Sequence, residues 1–470
     1  MQIHVIERGE TLRQIANHYG ADLNQIILVN QLNDPSVLVV GQTIIIPDQG
    51  SEYVVQTGDT LGSIAGRFGV SVQNLAETNN ITDPALIFPG DLLQLPYRNH
   101  IVRPGDTLWA MSEHYGVSVD QLAQVNDLAH PSQLTVGMTL RIPRPMRPVT
   151  EMNAYITDMD EQGAAEVLKL GRHFTYLSPF MYSVREDGTL TALNDERVRE
   201  AARMNDVAPL LVLTNFQNSS FDSDLAAMIL RDPSVQDTLI ANILDTMRMK
   251  RYSGLNIDFE YVYPEDREHY NDFLRKLVAR LHPEGYTVST ALAPKESGDQ
   301  QGLLYEAHDY TAHGEIVDFV IIMTYEWGWA GGRPWAIAPI NKMRDVLDYA
   351  VTVIPKDKIM MGIPLYGRDW RIPWEQGTFA RTVSPVEAVQ LAVRYGATIQ
   401  YHDTYQAQFF RYTDENGQEH EVWFEDARSM QAKYQLIKDY QLRGGSYWVL
   451  GSPFPQNWPV LQDNFRIRKI

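Results

Sequence analysis

The segment YSGLNIDFEYV, Tyr252 to Val262, sets polar or acidic residues at every second position of an apolar run: Asn256, Asp258 and Glu260. In an extended strand, residues i, i+2 and i+4 face one side. These three groups then converge, while Leu255, Ile257 and Phe259 cover the opposite face. Carboxylates resist burial unless they are paired or hydrogen-bonded. Such a strand is either an edge with a solvated face or a strand with a chemical task.

The segment is one of eight apolar stretches of strand type that alternate with helical ones. In order they are MNAYIT, FTYLSPFMYSV, APLLVLTNF, GLNIDFEYV, TVSTALAPK, DFVIIMTYEWG, IMMGIPLYGRDW and GGSYWVLG. Between the fourth and fifth, Tyr270, Phe273, Leu274, Leu277, Val278 and Leu281 recur at helical spacing, ended by Pro283 and Gly285. The stretch from Ala397 to Asp426 reads as a β-hairpin turning at Glu415–Asn416–Gly417, a small α+β insertion ahead of the eighth strand. Eight βα units predict an α/β fold, a closed (β/α)8 TIM barrel, whose sites lie at the C-terminal ends of the strands. Glu260 falls at the end of strand four, above Asp258 and Asn256. Tyr325 and Glu326 follow strand six, Tyr366 and Arg368 end strand seven, and Trp448 lies in strand eight. Trp327, Trp329, Trp370 and Trp374 are either ligand-stacking aromatics or packing under a loop.

Ahead of this domain one segment is written three times: VIERGETLRQIANHYG, VVQTGDTLGSIAGRFG and IVRPGDTLWAMSEHYG. Thr11, Thr60 and Thr107 correspond, as do Asn30, Asn79 and Asn126, at offsets of 49 and then 47 residues. Pro35, Pro84 and Pro131, and Gly41, Gly90 and Gly137, keep the same offsets. Each unit reads as strand, helix, helix, strand. In the second unit Asp59 or Thr60 can cap the first helix by accepting a bond from an orphan N–H, and Gly69 stops it. The connector PRPMRPV, Pro143 to Val149, is proline-stiffened. The expected domains are 1–48, 51–97, 99–144 and 150–470.

Composition bounds the chemistry. The net charge of −19 argues against a nucleic-acid partner, and the lack of cysteine removes disulfides and thiolate chemistry. The twelve histidines show no paired metal spacing. No metal and no cofactor are expected. No run is apolar and long enough for a membrane span, and the N-terminus shows no secretion signal.

The repeats resemble the LysM family, which binds N-acetylglucosamine-containing glycans such as peptidoglycan and chitin. The resemblance implies sugar grooves at Gly9, Thr11, Asn30 and Leu32; at Gly58, Thr60, Asn79 and Ile81; and at Gly105, Thr107, Asn126 and Leu128. The Gly and Thr can equally turn and cap, and the Asn can equally hold a loop. GLNIDFE, MTYEWG, GIPLYGRDW and GGSYW resemble glycoside hydrolase family 18. With the repeats and VWFEDARS, the chain looks like the spore-cortex peptidoglycan N-acetylglucosaminidases of endospore formers. The family's strand-four motif is DGxDxDxE; here Ser253 and Asn256 stand for its first two aspartates.

The resemblance implies a retaining, substrate-assisted glycosidase in which the 2-acetamido oxygen of the substrate attacks C1. Glu260 is then the general acid and Asp258 orients the acetamido group. Asn256 holds Asp258, Tyr325 bonds the acetamido oxygen, and Trp448 floors the sugar. Glu326, Tyr366, Arg368, Trp327 and Trp370 are further substrate-binding candidates. The expected function is cleavage of N-acetylglucosaminyl β-1,4 linkages of cortex peptidoglycan during germination, by a monomer in the spore coat, cortex or cell wall. A chitinase and a catalytically silent glycan-binding lectin are the alternatives.

Overall fold

The computed structural model describes residues 1–48, 50–130, 133–144 and 147–470. Pro131 of the third repeat and Pro145 and Met146 of the connector lie outside the described residues. The chain divides into two compact units. One holds Met1–Leu38, Thr43–Val149 and Trp458–Arg466; the other holds Val39–Gln42, Thr150–Asn457 and Ile467–Ile470.

The first unit contains the three repeats, each with two helices and an antiparallel strand pair. Gln2–Val5 pairs with Thr43–Ile46, Glu52–Val54 with Leu92–Gln94, and Tyr97–Ile101 with Thr139–Pro143. The first helices are Leu12–Tyr19, Leu61–Phe68 and Leu108–Tyr115. Each starts where a threonine hydroxyl, of Thr11, Thr60 or Thr107, accepts a backbone N–H three residues on. Each stops at a left-handed glycine, Gly20, Gly69 or Gly116. Leu61, Ile64 and Ala65 are buried as the apolar spacing predicts. Each module closes its own small core.

In the second unit eight parallel strands form the barrel. They are β1 Val149–Ile156, β2 Tyr176–Pro179, β3 Ala208–Thr214, β4 Gly254–Asp258, β5 Thr287–Leu292, β6 Phe319–Ile322, β7 Ile359–Pro364 and β8 Gly444–Trp448. Each pairs with the next, and β8 pairs with β1, so the sheet is closed. Closure leaves no exposed edge strand. Tyr176, Leu210, Val212, Phe319, Ile321 and Met360 pack together among the buried residues of the barrel. The helix expected after β4 spans Arg267–Leu281 and buries Tyr270, Phe273, Leu274, Leu277 and Leu281.

The insertion is larger than the expected hairpin, and it begins earlier. GIPLYGRDW is not one strand. β7 ends at Pro364, and Gly367–Ile372 belongs to a separate antiparallel sheet with Arg381–Val383, Gln400–His402, Ala407–Thr413 and Glu419–Phe424. Gly367 permits the crossing: a Cβ there would lie 2.5 Å from the Trp423 carbonyl oxygen. The turn forms where expected. The Asp414 carboxylate accepts the N–H groups of Asn416 and Gln418, and Gly417 is left-handed at φ 82°. The helix Pro385–Arg394 covers the sheet through Ala388 and Ala392.

Candidate active site

The alternation along β4 resolves as the sequence predicts. Leu255, Ile257 and Phe259 are fully buried, and Phe259 stacks on Tyr270 and Phe273 of the following helix, at centroid distances of 5.9 and 6.2 Å. The other face of the strand points into the barrel. Asn256 is buried, whereas Asp258 and Glu260 line a cleft of about 690 Å³. Tyr155, Tyr325, Glu326, Trp327 and Trp448 line it too.

Asp258 is 5% exposed, and its buried Oδ1 accepts no hydrogen bond among the described residues. Burial pushes its carboxyl above the ordinary carboxylate range. Glu260 is pushed well up as well, by burial first, then by the neighbouring charges of Asp258 and Glu326. Tyr325 stays a phenol, because burial and the same three carboxyls oppose its ionisation. Its ring lies against β7: a Cβ on Gly362 would be 2.7 Å from Tyr325 Cε1. The Trp448 ring meets Phe180 edge-on at 4.9 Å and Tyr155 at 5.4 Å, which gives the cleft a rigid aromatic floor. A carboxyl that burial disposes to keep its proton, a carboxyl oxygen with no partner among the described residues and a phenolic donor thus share one aromatic cleft.

A family model described as glycosyl hydrolases family 18 matches residues 182–452. The chain belongs to this hydrolase family. The LysM domain model matches residues 4–47, 53–96 and 100–143, so three LysM domains precede the family 18 domain. The chain is 46% identical to the cortical fragment-lytic enzyme of Bacillus subtilis (strain 168), over 100% of this chain and 99% of that one. It is 43% identical to the enzyme of that name from Bacillus anthracis, with the same coverage. The crystal structure of the Bacillus cereus spore cortex-lytic enzyme SleL superposes with a TM-score of 0.78. That structure is 40% identical and covers 100% of this chain and 98% of its own. The protein is a glycoside hydrolase.

Within the family 18 domain, several expected positions need correction. Asn256 does not hold Asp258. Its Oδ1 accepts the Tyr155 hydroxyl at 2.8 Å, and its Nδ2 donates to Ser289 Oγ at 3.0 Å. Side chains two residues apart on a strand stand about 6–7 Å apart, whereas Ser289 is the direct ladder partner of Asn256. Trp370 does not reach the cleft. It is 1% exposed, and its indole N–H donates to the Gly332 carbonyl inside the core under the insertion. Tyr366 and Arg368 stand behind the cleft wall. Both donate to Glu326 Oε1, Arg368 at 2.7 Å, and thereby fix that left-handed residue in place. Trp327 and Trp329 do line the cleft, and Trp329 is half exposed beside Phe379. Trp374 lies under the Arg333 guanidinium, 5.5 Å from it.

The LysM candidates resolve toward architecture. Thr11, Thr60 and Thr107 cap helices. Asn30 Nδ2 donates to the Ile26 and Ile45 carbonyls at 2.9 and 2.8 Å, and its Oδ1 accepts the Ile45 N–H at 2.8 Å. Asn79 repeats the pattern on Leu75 and Gln94, and Asn126 repeats it on Leu122 and Arg141. Each asparagine ties helix to strand and spends its amide on the fold. Leu32, Ile81 and Leu128 pack with their module cores. Gly9, Gly58 and Gly105 are left-handed, at φ 88°, 89° and 93°, with open space where a Cβ would stand. These glycines and the capping threonines are exposed at the strand–helix turn of each module.

Sequence reasoning missed one flank of the cleft. Phe216 and Phe221 meet edge-on across a two-residue turn after β3, and Tyr261 and Tyr305 stand in loops after β4 and β5. Phe216 closes the quoted stretch APLLVLTNF and was within reach of the strand-end rule. Tyr305 lies thirteen residues past β5, where no periodic signal extends. Among the described residues no group of three His, Asp or Glu side chains is arranged to hold a metal ion. No helix of the described residues is long and apolar enough to cross a membrane.

Proposed function

We propose that this enzyme hydrolyses N-acetylglucosaminyl β-1,4 linkages in spore-cortex peptidoglycan by a retaining, substrate-assisted route. The observation that carries the mechanism is the buried Oδ1 of Asp258, which has no partner among the described residues, beside a Glu260 carboxyl whose pKa is pushed well up by burial and by its charged neighbours. An acceptor in that state suits an acetamido N–H. The other cleft carboxylate, Glu326, already takes bonds from Tyr366 and Arg368 and is poorly suited to act as a nucleophile. The substrate's own amide oxygen takes that role.

In the first step the acetamido oxygen bonds to C1 as the C1–O bond to the leaving sugar breaks, and Glu260 gives its proton to the leaving oxygen. Asp258 accepts the acetamido N–H and steadies the positive charge, while Tyr325 donates to the acetamido oxygen. Glu260, now a carboxylate, takes a proton from the water that attacks C1, and the amide is restored with the β configuration kept. Trp448 is the apolar floor under the sugar. Asn256 acts one step back, by anchoring Tyr155.

The modules at 1–48, 51–97 and 99–144 retain the glycan near the hydrolase domain at 150–470, and tandem linkage raises avidity. The relatives named for cortex fragments and cortex lysis support a site of action in the spore cortex. Digestion of purified cortex fragments and chitin side by side, with the new reducing ends identified by mass spectrometry, tests the substrate. Glu260→Gln tests the acid: loss of turnover with the fold and glycan binding retained is expected, and most activity retained would refute it.

A further inference from the structure

β4 makes its last ladder contact at Asp258, opposite Thr214, and Tyr261 turns left-handed at φ 55°. The sheet therefore stops short of the backbone that carries Glu260. Two side chains from neighbouring elements continue its work. Asn215, the residue after β3, is fully buried. Its Oδ1 accepts the Glu260 N–H at 3.0 Å, and its Nδ2 donates to the Glu260 carbonyl at 2.9 Å and to the Asp222 carbonyl at 2.9 Å. His308, 1% exposed, accepts the Ala293 N–H on Nδ1 at 2.8 Å, which leaves Nε2–H to donate to the Phe259 carbonyl at 2.9 Å. Burial holds this ring neutral, with its pKa lowered to about 4, so the donor persists through the neutral range.

We propose that Asn215 and His308 are positioning residues that fix where the Glu260 carboxyl stands in the cleft. Ordinary satisfaction of loop backbone would scatter these bonds over any residues within reach. Here Asn215 takes both the N–H and the carbonyl of one residue, the two-bond pattern of a strand partner, and that residue is the acid. His308 takes the carbonyl immediately before it. The sheet is thereby extended by side chains through Glu260, and Ser223 Oγ donates to the next carbonyl, that of Tyr261, at 2.5 Å. Glu260 alone of the three has both its N–H and its carbonyl taken by one side chain. The inference rests on the reading of Glu260 as general acid.

The groups facing Glu260 are the carboxyls of Asp258 and Glu326 and the phenols of Tyr155, Tyr261 and Tyr325, with the Tyr270 phenol acting on it from the helix side of the strand. A backbone released from Asn215 lets the carboxyl swing toward water and ionise more readily. The alkaline limb of the pH–rate profile then moves to lower pH.

The test uses the full chain, with Asn215→Ala, Asn215→Asp, His308→Ala and His308→Gln, on a soluble cortex fragment. Misplacement of the acid predicts kcat about 10- to 100-fold lower, with KM within about twofold. It also predicts an alkaline limb shifted down in Asn215→Ala, and more activity in His308→Gln, which keeps an N–H donor, than in His308→Ala. Asn215→Asp keeps the shape and the bond from the Glu260 N–H; it decides the matter if the alanine variant does not fold. Folded variants with kcat within twofold of the parent, or losses that follow melting temperature with an unmoved pH profile, overturn the proposal. An active Glu260→Gln would instead overturn the acid assignment beneath it.

Discussion

Asp258 and Glu260 stand two residues apart on the same side of the chain but on opposite sides of the point where the barrel sheet ends. Asp258 is opposite Thr214 in the ladder, and Glu260 lies beyond it, its backbone gripped by Asn215. One carboxyl is thus set by the fold and the other by side chains; burial raises the cost of ionising both, and the Asp258 charge adds to it for Glu260.

Asp258→Asn removes one of the charges that hold the Glu260 proton. Ionisation of Glu260 becomes easier, so the alkaline limb of kcat/KM moves to lower pH. Loss of the charge facing the positive charge that develops when the acetamido oxygen bonds to C1 lowers kcat about 10²- to 10³-fold. A pH–rate series on a soluble fragment reads both effects.

Stability carries the same signature. The folded-state pKa of Glu260 is raised above its ordinary value of 4.5. Its contribution is therefore fully present below that value and is lost as pH rises through the raised one. Glutamine cannot ionise. Glu260→Gln should melt with the parent near pH ~4 and above it near pH ~8, by calorimetry or dye-monitored melting. Equal melting at both pH values would show that Glu260 ionises without penalty.

Gly362 makes room for the Tyr325 ring. A Cβ there falls 2.7 Å from Tyr325 Cε1 and 2.7 Å from the Ile322 carbonyl oxygen. Gly362→Ala should overpack the wall by about 1–3 kcal/mol and displace the phenol. Steady-state kinetics should show kcat roughly 10-fold lower or worse, with circular dichroism unchanged.

In the first LysM module, Asn30→Ala strips three hydrogen bonds from buried backbone. The expected cost is about 2–3 kcal/mol. It should appear as faster amide hydrogen exchange at Ile45, with hydrolysis of small soluble fragments unaffected.

The barrel was legible because each strand is short, apolar and bounded, and because a period of two at Asn256, Asp258 and Glu260 admits one face assignment. The three modules were legible from their fixed offsets. Side-chain reach was not. Asn256 was assigned to the residue next along its own strand, while its bonds run across the barrel to Tyr155 and Ser289. Trp370 carried the right chemistry in the right stretch, but the chain had already left β7, and a glycine at 367 gives no pattern that marks the change of sheet. The repeated asparagines were groove candidates through the LysM resemblance, with a loop-holding role equally open. They recur because each module needs the same brace between helix and strand.

The sheet that spans residues 367–424 enters and leaves between β7 and β8, and those two strands stay bonded to each other. It touches the reaction from behind, through Tyr366 and Arg368 on Glu326 and through Phe379 beside Trp329. An excursion anchored this way can be lengthened, trimmed or exchanged while the ring stays shut. That makes it the natural place to retune which glycans the enzyme admits, because a failed change there costs selectivity before it costs the scaffold.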